Sequence, residues 1–158
     1  MRSVVSRSRR ARGDDGASAV EFALVAPLLF LLIAGTIEFG WAFHQMMDLR
    51  HGARETARLV AVNYRQTPTA SGTAQRDEIV AAACGRMDGT TEVKVMLDQV
   101  TTAAIGGTTE VTVTKPLRTL TGMLDFAIAG KTLTSAVQTR QEQVATWSET
   151  TAPGQACP

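Results

Sequence analysis

Three observations predict an α+β fold in which a long N-terminal transmembrane helix continues as an amphipathic stalk and carries a small three-stranded antiparallel sheet as its head. The first is an apolar run: Phe22 to Ile37 is sixteen residues without a charge, and Glu38 alone interrupts it before Phe43. The second is helical spacing beyond that run, where Met46, Leu49, Ala53, Ala57 and Val60 recur every three or four residues. The third is apolar–polar alternation in two later stretches, 91–100 and 109–115, the pattern of half-buried strands.

The apolar run sets the first boundary. As a helix, Phe22 to Phe43 reaches roughly 33 Å at about 1.5 Å per residue, matching a bilayer's hydrocarbon core. The span is assigned to residues 17–43 and its surroundings to the lipid bilayer. Pro27 removes one helical hydrogen bond, which membrane helices tolerate where neighbours re-satisfy the freed group. Charge gives the orientation. Of 16 Lys and Arg, five (Arg2, Arg7, Arg9, Arg10, Arg12) lie in the first 16 residues, and positive residues beside a span favour the cytoplasmic side. Everything beyond about residue 44 is then expected outside. A formal charge of only +1 removes the global electrostatic argument for a nucleic-acid partner.

Residues 44–65 read as the stalk. Arg50, Arg54 and Arg58 repeat every four residues and share one face, a solvated stripe relieved by pairs such as Glu55 with Arg58, or a surface for anionic headgroups or an acidic partner. His44, Asp48, His51 and Glu55 also fall roughly on one side, but ligands along one helix diverge, and no second ligand-bearing segment accompanies them, so no metal site is assigned.

The head is expected over 66–147. The turn-forming stretch Gln66 to Gly72 ends the long helix, and Ile79, Val80 and Ala83 mark a short helix from Ala74 to about Cys84. Val93, Val95 and Leu97 alternate with Glu92, Lys94 and Asp98 in one strand, and Val111 and Val113 with Glu110, Thr112 and Thr114 in the next, with Gly106 and Gly107 between them. Leu117 to Ile128 is a helical turn or apolar loop, and Lys131 to about Val144 a third strand with Leu133 and Val137 on one face. The tail, 148–158, is polar. In an oxidising compartment Cys84 and Cys157 are expected to pair, closing a loop of 72 intervening residues and tying the tail down; two free thiols are the alternative.

A secretory signal peptide accounts for the basic start and the apolar run but not for the poor cleavage site that follows. Nor does it account for Glu21, a carboxylate at the entrance of the run. Holding that charge in hydrocarbon costs roughly 2.5 to 3.5 kcal/mol on the mildest scale, so such a group usually has a partner or a job; the alternative is that Glu21 snorkels to the headgroup layer at the membrane edge. Gly16-Ala17-Ser18-Ala19-Val20-Glu21-Phe22 resembles the processing site of type IV pilin-like proteins, with glycine before the scissile bond and glutamate fifth in the mature chain. The wider pattern resembles TadE-like minor pseudopilins of the Tad (Flp, tight-adherence) pilus. Four blocks over about 13–58 carry it: Gly16-Ala17 with Val20-Glu21-Phe22-Ala23-Leu24, Pro27-Leu28-Leu29, Ile37-Glu38-Phe39-Gly40, and Ala53-Arg54-Glu55-Thr56-Ala57-Arg58.

That resemblance implies a cytoplasmic leader, 1–16, removed between Gly16 and Ala17 by a prepilin peptidase of the inner membrane. Glu21, with Phe22 beside it, then pairs with the new terminal amine of a neighbouring subunit, neutralising two charges inside an apolar bundle. Ala23, Ala26, Ala34 and Gly35 supply small surfaces for helix packing. Implied partners are the major pilin, a second minor pseudopilin and the inner-membrane assembly platform, and the implied role is pilus assembly, initiation or capping in support of adhesion and biofilm formation. The alternative is an uncleaved, single-pass envelope or adhesion protein with an extracytoplasmic head. A secreted enzyme finds less support: no nucleophile elbow, phosphate loop or Cys-x-x-Cys is present, both histidines lie on the stalk, and nothing brings Asp125 and Glu142 together. No cofactor or small-molecule substrate is expected.

Overall fold

The computed structural model describes residues 12–122, 125–128 and 130–158; the expected leader lies outside the described residues as far as residue 11. Helix α1, Arg12–Ala61, contains Pro27, whose missing N–H leaves the Ala23 carbonyl without its helical donor. The chain divides into an N-terminal unit ending at Phe39 and a second unit, Gly40–Pro158.

In the first unit, apolar side chains from Val20 to Ile37 are exposed around the helix, Leu24 at 75% and Phe30 at 70% among them. A helix apolar all round has no face suited to water, and from Gly16 this one is long and apolar enough to cross a membrane.

The second unit holds α2 (Gly72–Cys84), β1 (Lys94–Gln99), β2 (Thr108–Pro116), the single turn α3 (Asp125–Ile128), β3 (Thr132–Arg140) and β4 (Gln155–Ala156). The strands form one antiparallel sheet in the order β3-β2-β1-β4. Its register places Val95 opposite Val113 and Leu97 opposite Val111, so the alternation read in the sequence becomes one continuous apolar face. That face packs with Ile79, Val80 and Ala83 of α2 and with Leu49, Ala53, Ala57 and Val60 of α1. The stretch read as a stalk is amphipathic as expected, with Arg50, Arg54 and Arg58 on the solvent side, but its apolar face is the helical half of the head's own core.

The three-stranded expectation is corrected to four. The tail supplies β4, which pairs Ala156 with Lys94 and Gln155 with Val95. Two residues cannot display a period-two pattern, so alternation gave no sign of this strand. The long helix also stops before the turn-forming stretch expected to end it. Asn63 takes a left-handed φ of 52°, its N–H bonds the Val60 carbonyl, and the Tyr64 N–H bonds the Leu59 carbonyl. This paired closure satisfies the last carbonyls of α1.

Gly107 is required where β2 begins. A Cβ there would lie 2.0 Å from the Thr102 carbonyl oxygen, a backbone atom that cannot swing aside. Gly52 has a more forgiving neighbour, the flexible Met87 side chain lying across it.

Candidate functional site

Gly16 and Ala17 lie inside α1, Gly16 five residues and about 7.5 Å of helical rise before Glu21. Glu21 is exposed between Val20 and Phe22 and has no ion-pair partner among the described residues. At about 100° per residue, Ala23, Ala26 and Ala34 fall within an arc of about 80°, a stripe narrow enough to admit another helix closely. Gly35 lies about 120° away from Ala23 around the axis, and Glu21 about 160° away. The helix thus brings the three alanines together and places Gly35 and the carboxylate on other faces. A Cβ added at Gly16 or Gly35 would meet nothing within 4 Å, so neither glycine is demanded by this chain's own packing.

In the second unit Cys84, the last residue of α2, is joined to Cys157 by a disulfide with a Cα–Cα distance of 5.7 Å. The Cys157 N–H donates to the Val93 carbonyl at 2.9 Å, so the tail is anchored by backbone as well as sulfur. Three of the four potential metal ligands are engaged with other partners, and His51 is exposed. Asp48 Oδ1 accepts the Asp88 N–H at 3.0 Å, Glu55 pairs with Arg86 and, at 3.8 Å, with Arg58, and the His44 ring lies 5.5 Å from that of Trp41. Among the described residues, no three His, Cys, Asp or Glu side chains gather around a common point.

Two polar clamps escaped the sequence reading. Gln75, fully buried on α2, donates through Nε2 to the Asn63 carbonyl, Asn63 Oδ1 and the Tyr64 carbonyl, while the Thr146 hydroxyl donates to Gln75 Oε1 at 2.5 Å. This network holds the end of α1, the start of α2 and the approach to the tail together. Gln45 donates to the Arg118 carbonyl at 2.7 Å and accepts the Arg118 N–H at 3.2 Å, fastening the segment after β2 to α1. Arg118 also pairs with Glu92, which raises the guanidinium pKa further. On α2, Glu78 is held below the ordinary carboxylate range by a hydrogen bond from the Thr67 side chain, the Gln66 and Thr67 N–H groups and nearby Arg65. Amides and hydroxyls at separations such as 12 and 73 residues follow no period, so only their three-dimensional placement reveals them.

The family model for TadE-like proteins matches residues 16–58, which run along α1 from Gly16 through the apolar stretch to Arg58. This TadE-like segment is what the chain shares with that family. It contains Gly16, Ala17, Glu21 and the alanine stripe, and it ends within the part of α1 that packs in the head. α2, the sheet and the disulfide lie beyond it. No curated protein matches the chain, and neither does any solved structure.

Proposed function

We propose that this chain is a minor pilin-like subunit of a Tad-type pilus, held in the inner membrane by its N-terminal helix with the head outside. The observation that carries this reading is the start of the TadE-like segment at Gly16, five residues before a carboxylate that has no ion-pair partner among the described residues of an otherwise apolar helix surface. A prepilin peptidase cuts between Gly16 and Ala17, and the new amine of one subunit pairs with Glu21 of another, offsetting the cost of two charges in hydrocarbon. The alanine stripe gives the major pilin or a second minor pseudopilin a close-packing surface. The chain is acted on by a protease and performs no reaction itself; its work is structural, in assembly, initiation or capping, and through the pilus in adhesion. A disulfide in the head suits an oxidising, extracytoplasmic compartment and so supports the orientation.

Intact mass and N-terminal sequencing of the protein from its native membrane, in cells with and without their prepilin peptidase, test this reading. A peptidase-dependent start at Ala17 is expected, and a start at Met1 in both strains would refute it. That second outcome belongs to the uncleaved, membrane-anchored alternative, which one observation favours: α1 is continuous through Gly16 and Ala17, so cleavage first requires local unwinding of a helix.

A further inference from the structure

We propose that the open edge of β3, with the arginine-lined groove beside it, is a strand-addition site for an extended acidic segment of another protein. The inference uses only the second unit and does not depend on the pilus reading.

β3 is an outer strand, paired on one side alone. The Leu117 N–H bonds the Lys131 carbonyl, and Gln141 exchanges bonds with Gly106 and Gly107, which fixes the odd-numbered residues as those whose backbone groups face β2. The N–H and C=O groups of Thr134, Ala136 and Gln138 therefore point to the open side. Two residues past the strand, the even-numbered Glu142 turns its N–H to the Ala61 carbonyl at 2.9 Å, closing that end of the edge. Proteins usually guard such an edge with charge, proline or brevity. β3 has nine residues, no proline and one charge, Arg140.

Alongside lies a groove of about 520 Å³ lined by Arg54, Ala57, Arg58 and Ala61 of α1, by Val137 and its neighbours on β3, and by Glu142. The alanines leave room for side chains from an added strand. Arg54 has no ion-pair partner among the described residues, and Arg58 has only Glu55 at 3.8 Å, so two guanidiniums face the groove against one carboxylate at its end. Charge thereby selects the occupant. A second copy pairing β3 to β3 would set the Arg54 and Arg58 of each chain against a strand that contributes no acid. An extended segment with carboxylates on alternate positions would gain main-chain bonds from the edge and ion pairs from the arginines.

The test is a titration of the 15N-labelled full chain in detergent micelles with an octapeptide of alternating valine and glutamate, beside its lysine counterpart and a version N-methylated at alternate residues. With the acidic peptide, the Thr134, Ala136 and Gln138 amide signals should shift and gain protection from hydrogen exchange. The lysine peptide, or the acidic peptide with an Arg54→Glu, Arg58→Glu variant, should bind at least about tenfold more weakly, and N-methylation should abolish binding. Shifts elsewhere only, equal binding of the N-methylated peptide, or no shift at millimolar peptide would overturn the proposal. So would concentration-dependent protection of these amides without peptide, because the occupant would then be a second copy.

Discussion

Removing the disulfide gives the most quantitative test of the head. The bridge joins residues 73 apart, and the chain-entropy relation for a loop of that length gives about 4 kcal/mol of stabilisation through the unfolded state. The proposed perturbation is Cys84→Ala with Cys157→Ala, alanine being chosen because Cys84 is buried and a serine hydroxyl there would need a partner. In the folded state the tail keeps other holds: the Cys157 N–H to the Val93 carbonyl, the Thr150 N–H to the Leu97 carbonyl at 3.1 Å, and the Gln99 N–H to Glu149 Oε1 at 2.9 Å. The variant should therefore retain its circular-dichroism spectrum while losing stability. With a urea slope of about 2 kcal/mol per molar, the unfolding midpoint should fall by about 2 M. Buried Trp147 provides the fluorescence signal, in the full chain in detergent micelles. Reduction of the unaltered chain should reproduce the shift. A midpoint change under about 0.5 M, in protein whose mass confirms the bridge beforehand, would refute the loop-closure account.

Other consequences are sharper in position than in magnitude. Gln75→Leu keeps the volume but strips the donor from three acceptors, and should cost about 2–4 kcal/mol in the same urea assay; a neutral result would mean that water replaces the amide. Gly107→Ala forces a Cβ against the Thr102 carbonyl and should destabilise by about 2 kcal/mol or more, whereas Gly35→Ala, with open space around it, should leave the midpoint unchanged. Glu78 supplies a pH signature. Because its folded pKa lies below the ordinary 4.5, its contribution is complete above that pH and is lost as the pH falls through the folded value. The stability difference between wild type and Glu78→Gln should thus be flat from neutral pH down to about 5 and shrink below about 4.5; a difference that grew on acidification would contradict the assigned hydrogen bonds.

What the sequence disclosed was set by how local each signal is. The apolar helix depends on composition within one segment, and β1 and β2 on alternation within six to nine residues, so each could be read without its neighbours. β3 was legible through Leu133 and Val137, although only one of its faces is covered. Fixing β4 would have required knowing that Cys157 returns beside Val93, a contact between segments far apart in the chain. The end of α1 was misplaced because Asn63 is an unremarkable residue until Gln75 and Thr146 are seen to hold it. At the candidate site, the order Gly16-Ala17…Glu21 was visible as a linear motif. The separation of Gly35 from the alanine stripe required the helical angle.

One helix meets two solvation problems, and this division separates assembly from folding. As far as Phe39 its apolar side chains are exposed all round, so the burial they need must come from lipid or from other helices. From Leu49 onward the same helix is apolar on one side only, and that side is already covered by residues of its own chain. In the proposed pilus role, contacts between subunits therefore belong first to the exposed apolar helix, while the arginine side left free by the head remains available for a partner that approaches through solvent. The TadE-like segment spans both parts, so changes at Glu21 and changes at Ala53 should fail in different ways. In the proposed pairing, the first leaves a folded head on a helix with no carboxylate to offer a neighbouring subunit's terminal amine; the second overfills a site with no exposed surface and unfolds the head while leaving the apolar run long enough to enter a bilayer.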